Sequence, residues 1–188
     1  MPILYVIAGP PGIGKSTDGG NFVPSSIETL NHDKLNTEYK NREIPDYEDR
    51  ANLKANSFIK EKLSQKVDFG IELNLGSEGH YDFVRYIRQN HASYKIYVIL
   101  FFTDDLLLCL DRAFLREKSG GHQVAPEIIK RMYQYTLPLF RKHIKLLDYL
   151  QFIHVDYVYA GYYPNAQKDF LHTSVPLWLI NHFPEILL

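Results

Sequence analysis

A glycine-rich segment near the start of the chain limits the choice of folds more than any other feature. Residues 9–16 have the sequence GPPGIGKS, which fits the pattern G-x-x-x-x-G-K-[ST]. The segment directly follows the short apolar run ILYVIA at residues 3–8, which predicts a buried strand. A glycine turn with an incidental lysine is the alternative interpretation. The strand and loop together predict a phosphate-binding loop at the start of an α/β domain.

The residue types of this loop suit the chemistry of an anion site. Glycines let successive backbone N–H groups turn towards a phosphate without a Cβ clash, and the following helix directs its positive end at the same anion. Lys15 is expected to reach the β- and γ-phosphates, and the Ser16 hydroxyl to ligate magnesium. The predicted nucleotide contacts are Gly9, Pro10, Pro11, Gly12, Ile13, Gly14, Lys15, Ser16 and Thr17.

The helix expected after the loop contains two adjacent glycines, Gly19 and Gly20. Relative to alanine, such a pair costs a helix about 2 kcal/mol. Asp18 offsets part of this cost through the helix dipole. We therefore expect a short, easily frayed helix that ends before Pro24, and a loop that still binds nucleotide, more weakly than with leucine or alanine there.

Strand and helix patterns alternate along the chain. Strands are predicted around residues 26–33, 67–75, 94–102 and 151–156, and helices around 46–66, 79–92, 104–118 and 125–150, the last with a bend at Pro138. This alternation favours a three-layer α/β sandwich in which a mainly parallel sheet is covered on both faces. We expect residues 1–188 to form a single domain.

Composition excludes several classes of protein. Acidic and basic residues nearly cancel (22 and 21), so neither duplex nucleic acid nor an anionic membrane is indicated as a partner. The single cysteine, Cys109, rules out a disulfide framework and is expected to be a buried, inert thiol. No apolar stretch has the length of a bilayer span, and the first residues lack the features of a signal peptide. A cytoplasmic location is expected.

Other motifs separate the classes of phosphate-loop protein. A GTP switch requires an N-K-x-D motif, which the sequence lacks. Residues 118–123 (KSGGHQ) resemble a transporter ATPase signature, but a helical pattern follows them instead of a strand ending in Asp-Glu. Small-molecule kinases remain, because they combine a phosphate loop with an acidic group after the second strand and an arginine-bearing lid.

Several segments between residue 3 and about residue 156 resemble the zeta-toxin-like kinases. They are the loop AGPPGIGKST, the stretch LNHDKLN, the segment GIELNLGS, and RAFLREKSGGHQVAPEIIKRMYQY with its Gly-Gly-His turn. The resemblance implies a nucleotide-kinase-like fold with a small helical lid at about residues 112–131. It also implies ATP and Mg²⁺ as cofactors, and transfer of the γ-phosphoryl group to a hydroxyl of a small molecule. Zeta toxins themselves phosphorylate a UDP-activated amino sugar.

The resemblance also implies roles for individual residues. Asp33 would be the general base, although it could instead cap a helix formed by the next residues. Glu72 and Asn74 would contact the substrate. Arg116 and Arg131 would neutralise charge on the transferred group. Two further assignments stay open: Arg112 acts like Arg116 or pairs with an acid, and His122 contacts a phosphate or shapes the glycine turn.

Three features depart from this pattern or lie outside it. Asn74 stands where the family has threonine and Gly76 where it has serine, which implies a different substrate contact. The aromatic tail from residue 157 either packs on the domain or forms a dimer contact through Trp178. An ATP-binding module that acts through a protein partner is the alternative to a kinase, and phosphorylation of a nucleic-acid end is less favoured because no basic stripe is present.

Overall fold

The computed structural model describes residues 1–155, the strand at residues 157–162, and residues 176–184. Six strands form one sheet in the order β2-β3-β1-β4-β5-β6. The first five are mutually parallel, and β6 runs antiparallel to β5. The strands are β1 (Ile3–Ala8), β2 (Thr29–Leu30), β3 (Phe69–Leu73), β4 (Lys95–Phe102), β5 (Tyr149–His154) and β6 (Tyr157–Tyr162). The predicted α/β class with a mainly parallel sheet is confirmed.

Helices connect the strands and cover both faces of the sheet. They are α1 (Lys15–Asp18), α2 (His32–Asn41), α3 (Tyr47–Gln65), α4 (Glu78–Asn90), α5 (Leu106–Lys118), α6 (Pro126–His143) and α7 (Leu177–His182). Two 3₁₀ turns, Gly19–Phe22 and Ile144–Leu146, extend α1 and α6. None of the helices in the described part of the chain has the length and apolarity needed to cross a bilayer.

Successive side chains of the central strands point to opposite faces of the sheet, and this creates two separate cores. In β1, the side chains of Leu4, Val6 and Ala8 join one core, and those of Tyr5 and Ile7 join the other. Helices α3, α4, α6 and α7 contribute to the first core, while α5 and the phosphate loop contribute to the second. Because both faces are buried, the central strands are almost continuously apolar, as expected for a parallel sheet.

Some element boundaries differ from those that the sequence predicted. The second strand is only two residues long, because the following polar residues already form α2. Asn31 caps α2, its Oδ1 accepting from the N–H of Lys34 at 2.8 Å, so the alternative in which Asp33 caps this helix is wrong. Helix α6 continues across Pro138.

The described part of the tail packs onto the domain. Trp178 is 2% exposed, and its indole N–H donates to Nδ1 of His154 at 3.0 Å. Since its ring contacts Phe102 and Phe152 inside the core, the alternative of a dimer contact through Trp178 is wrong. The sequence predicted that the whole tail packs on the domain, but residues 163–175 and 185–188 lie outside the described residues. Strand β6, where the sequence indicated no periodicity, extends the sheet beyond β5.

Candidate active site

The phosphate loop leaves the carboxyl end of β1 and packs tightly against its neighbours. Gly9, Gly12 and Gly14 have φ values of 138°, 81° and 108°. Residues that carry a Cβ rarely adopt such positive values. A Cβ on Gly9 would lie 2.3 Å from the carbonyl oxygen of Phe101, and one on Gly12 would lie 2.1 Å from that of Cys109. The glycines therefore serve both the turn itself and its contact with β4 and α5.

Lys15 folds back over this loop and is almost fully buried. Its Nζ donates to the carbonyl oxygens of Gly9 and Pro10, at 2.8 and 3.0 Å, and to Oδ1 of Asn74 at 2.9 Å. These three bonds use every donor of an ammonium group. Burial lowers the pKa of Lys15 to about 8, and the nearby carboxylates of Glu72 and Asp33 limit that decrease. Lys15 thus lies within the electrostatic reach of both carboxylates that the resemblance implies.

The Ser16 hydroxyl joins three segments of the chain. Its Oγ donates to Oε2 of Glu72 at 2.9 Å and accepts from Nδ2 of Asn31 at the same distance. Glu72 and Asn74 both belong to the carboxyl end of β3, and both contact the phosphate loop. Neither of them lines the cavity where we expect the acceptor, although the resemblance implies that both bind substrate.

Two cavities meet at this loop. The first, which we call the nucleotide cleft after the expected role of the loop, has a volume of about 390 Å³ and lies between the loop and α5, where Arg112 and Leu115 form its far wall. The second, which we call the acceptor cavity after the role expected of Asp33, has about 450 Å³ and lies between α2 and the turn after α5. Ser16 and Arg116 line both cavities, and Asp33 lines the second. The arrangement places a carboxylate beside the point where the two cavities join.

The turn after α5 holds Arg116 over that junction. Nε of Arg116 is buried and has no hydrogen-bond partner among the described residues. A Cβ on Gly121 would lie 2.6 Å from Cγ of Arg116, so glycine is needed for the turn to close over this side chain. His122 lines the acceptor cavity. Arg112 donates to the carbonyl oxygen of Ile13 at 3.3 Å, which attaches α5 to the phosphate loop.

Arg131 is exposed on α6 and lines neither cavity. Its neighbour in sequence, Met132, packs against Gly76, where a Cβ would lie 2.8 Å from both Cβ and the carbonyl oxygen of Met132. This contact gives a packing reason for glycine at position 76. Leu75, between Asn74 and Gly76, is buried and adopts a left-handed conformation with φ of 51°.

Sequence reasoning missed one wall of the acceptor cavity. Helix α2 presents one polar face to it, made of Asp33, Lys34, Thr37, Glu38, Asn41 and Arg42. These positions follow the i, i+4 spacing of a helix face, so the pattern was present in the sequence. It was overlooked because the mean character of α2 is polar and none of its residues is buried.

Cys109 is fully buried, which confirms that part of the expectation. Burial raises its pKa to about 11, which disfavours the reactive thiolate. The described residues also hold no group of three or more His, Cys, Asp or Glu side chains placed to bind a metal ion.

No protein-family model matches the sequence, and no curated protein matches it. Several solved structures, however, are similar to this chain in fold. One chain of the PezAT chromosomal toxin–antitoxin system of Streptococcus pneumoniae is similar over 100% of this chain and 82% of its own, with a TM-score of 0.66 and 15% identity. The AvrRxo1-ORF1:ORF2 complex solved with ATP is similar over 86% of this chain and 58% of its own, with a TM-score of 0.63 and 12% identity.

The chain has the fold of a phosphate-loop kinase. This confirms, for the fold, the resemblance to the zeta-toxin-like kinases. A chain of the Pnkp1/Rnl/Hen1 RNA repair complex is also similar, over 75% of this chain and 46% of its own, with a TM-score of 0.57 and 17% identity. The chain therefore spans less than two thirds of two of these three relatives.

Proposed function

We propose that the protein is a phosphotransferase that moves the γ-phosphoryl group of ATP to a hydroxyl of a small polar acceptor. The observation that carries this proposal is the meeting of two cavities at Ser16 and Arg116, with Asp33 in the wall of one and the phosphate loop in the wall of the other. The solved ATP complex of a protein with the same fold supports the choice of donor.

On the donor side, the loop amides and Lys15 would hold the phosphates. Because all three donors of Lys15 already bond to protein oxygens, each bond to a phosphate replaces one of these bonds. The bond to Asn74 is the most easily replaced, since its acceptor, Oδ1, belongs to a side chain that can move. Arg116 would neutralise charge on the group in transfer, which is where electrostatic stabilisation contributes most.

The residues around Ser16 fit a magnesium ion. Mg²⁺ in such sites keeps several waters and uses hydroxyl, carboxylate and phosphate oxygens, and here a hydroxyl and the Glu72 carboxylate lie 2.9 Å apart. We therefore assign Ser16 and Glu72 to this ion, which when bound would neutralise charge on the β- and γ-phosphates.

On the acceptor side, Asp33 would orient the attacking hydroxyl and accept its proton. Phosphoryl transfer depends mainly on positioning and on charge stabilisation, so a single well-placed carboxylate is sufficient. The polar face of α2 suits an acceptor with many hydroxyl groups, and nucleotide sugars are the class that the resemblance implies. Arg131 stays a proposed second cation, which would have to reach the junction from the exposed start of α6.

The test uses labelled ATP and Mg²⁺ with a panel of UDP-sugars, free sugars and nucleosides. We expect a phosphorylated product with the native protein and none with Asp33→Asn, because the variant cannot accept the hydroxyl proton. ATP binding, measured by calorimetry, should change less than about twofold, since only charge at a distance is removed. Asp49→Asn, an exposed position on α3, serves as the matched control. Full turnover by Asp33→Asn would remove Asp33 from the mechanism.

A second candidate function is an ATP-binding module that acts through a protein partner. Two structures of the same fold are described as toxin–antitoxin or two-protein complexes, and this favours it. Tight ATP binding without product from any acceptor pool would support the module over the kinase. A nucleic-acid end is a weaker candidate acceptor, since the chain has a formal net charge of −1.

A further inference from the structure

A third cavity opens beside the acceptor cavity, at the end remote from the phosphate loop. Its volume is about 400 Å³, and we call it the distal cavity; its walls are Tyr39, Arg42, Ile44, Arg50 and Leu53. Arg42 lines both the distal and the acceptor cavity. The two spaces are therefore neighbours that share Arg42 as a wall residue.

The position of Arg42, the residue that follows α2, sets the distance along the helix between this cavity and Asp33. The two residues are nine positions apart and both line the acceptor cavity, and nine residues of an α-helix rise about 14 Å along its axis. A molecule whose hydroxyl lies at Asp33 therefore has to be elongated to reach the distal cavity.

The charged groups of the distal cavity are two arginines. Nε of Arg50 donates to the carbonyl oxygen of Pro45 at 3.1 Å, a bond that orients the guanidinium and uses one of its five donors. Arg42 pairs with Glu38 at 3.2 Å, and both side chains are more than half exposed, so this ion pair is weak and replaceable. The described residues that line the distal cavity thus include two arginines and no carboxylate.

The acidic residues of the connection between α2 and α3 do not change this balance at the cavity wall. Glu43 and Asp46 are exposed, and neither lines the distal cavity. Both adopt left-handed backbone conformations, with φ of 53° and 51°, which form the tight turn between the helices. The remaining walls are apolar, and Leu53 is 66% exposed there.

We propose that the distal cavity binds an anionic group, a carboxylate or a phosphate, at the far end of an elongated acceptor. Each guanidinium group can recognise such an oxyanion through planar, bidentate hydrogen bonds. The apolar walls contact the part of the acceptor next to the anion. The direction of the acceptor, with its hydroxyl at Asp33, rests on the proposed function; the anion site itself rests on Arg42 and Arg50.

The test is an NMR titration of the isotope-labelled full chain with pyrophosphate and, separately, with malonate. Amide signals of residues 39–53 report the distal cavity, and those of residues 9–18 report the phosphate loop. We expect saturable shifts in the first group with at least one of the two anions. Arg42→Gln and Arg50→Gln should each weaken this binding by about fivefold or more. Lys60→Gln, an exposed cation on α3 outside the cavity, should leave the affinity unchanged.

The outcomes separate this inference from the proposed function. Shifts with pyrophosphate alone identify a phosphate-bearing acceptor, and shifts with malonate alone identify a carboxylate. Unshifted amides at residues 39–53, or an affinity that neither arginine variant changes, would overturn the distal site while leaving the kinase proposal in place. Conversely, the amide signals of residues 39–53 could shift while those of residues 9–18 shift with neither pyrophosphate nor ATP. This result would support the anion site and refute the kinase.

Discussion

At the scale of single residues, the proposed binding of phosphates depends on the charge of Lys15. An ammonium attracts a triphosphate, and a neutral amine does not. Burial lowers the pKa of Lys15 to about 8, well below the ordinary value for lysine. The charged form therefore dominates below about pH 8 and is lost as the pH rises above it.

We predict that ATP binding weakens above about pH 8, up to tenfold per pH unit, where an exposed lysine would keep its charge to about pH 10. Calorimetric titrations with Mg-ATP at pH 7, 8, 9 and 9.5 measure this, in buffers of matched ionic strength. Lys15→Met should bind weakly at every pH and lose the dependence. A constant affinity of the native protein up to pH 9.5 would contradict the effect of burial on this group.

At the scale of elements, the structure explains the two glycines that follow the loop. Helix α1 has four residues and continues as a 3₁₀ turn through Gly19–Phe22, as the sequence predicted for a short helix. A Cβ on Gly19 would lie 2.7 Å from Cγ2 of the buried Ile7, whereas nothing lies within 4 Å of one on Gly20. Only the first glycine is therefore required by packing.

We predict opposite effects for the two substitutions. Gly19→Ala should lower the free energy of unfolding by about 1 to 3 kcal/mol, because β1 has to move to admit the methyl group. Gly20→Ala should leave it unchanged or raise it by up to about 1 kcal/mol, because alanine restricts the unfolded chain. Urea unfolding of both variants measures this difference. Equal losses in the two variants would mean that backbone freedom, not the contact with Ile7, determines the choice of glycine at position 19.

The secondary-structure elements differ in how far the sequence predicts them. The apolar strands β1 and β4 and helices α3, α4 and α5 were predictable, because burial on one or two faces leaves a regular pattern. The strand predicted around residues 26–33 contains β2, but the early start of α2 was not predictable, because an exposed polar helix has no apolar period. Within the site, the loop motif predicted Lys15 and Ser16 and the resemblance implied Asp33, but the bond between Lys15 and Asn74 depends on the register of β3 against β1.

At the scale of the whole molecule, the tryptophan provides a reporter for cooperativity. Trp178 is the only tryptophan, and it lies in the core, although it comes from a helix remote in sequence from the phosphate loop. It contacts Phe102 at the end of β4, and it shares a core with residues of β5 and α6. Its surroundings therefore persist only while the central sheet is intact.

We predict that unfolding in urea is a single transition, in which Trp178 fluorescence and far-ultraviolet circular dichroism have the same midpoint. The expected cause is the shared core, which joins α7 to the sheet and to α4 and α6. The Trp178→Phe variant shows which part of the emission change belongs to this residue. An earlier transition in fluorescence would indicate that α7 detaches separately, and would contradict a single domain over residues 1–188.

The wall common to the two cavities has a thermodynamic consequence. Arg116 cannot change its position for one substrate without changing the surface that the other meets. In the proposed kinase, a movement of Arg116 on binding of one substrate would therefore alter the affinity for the other, and linkage requires the factor to be identical in both directions. Donor and acceptor would in this sense be mutual effectors, and the order in which they arrive cannot alter the free energy of the ternary complex.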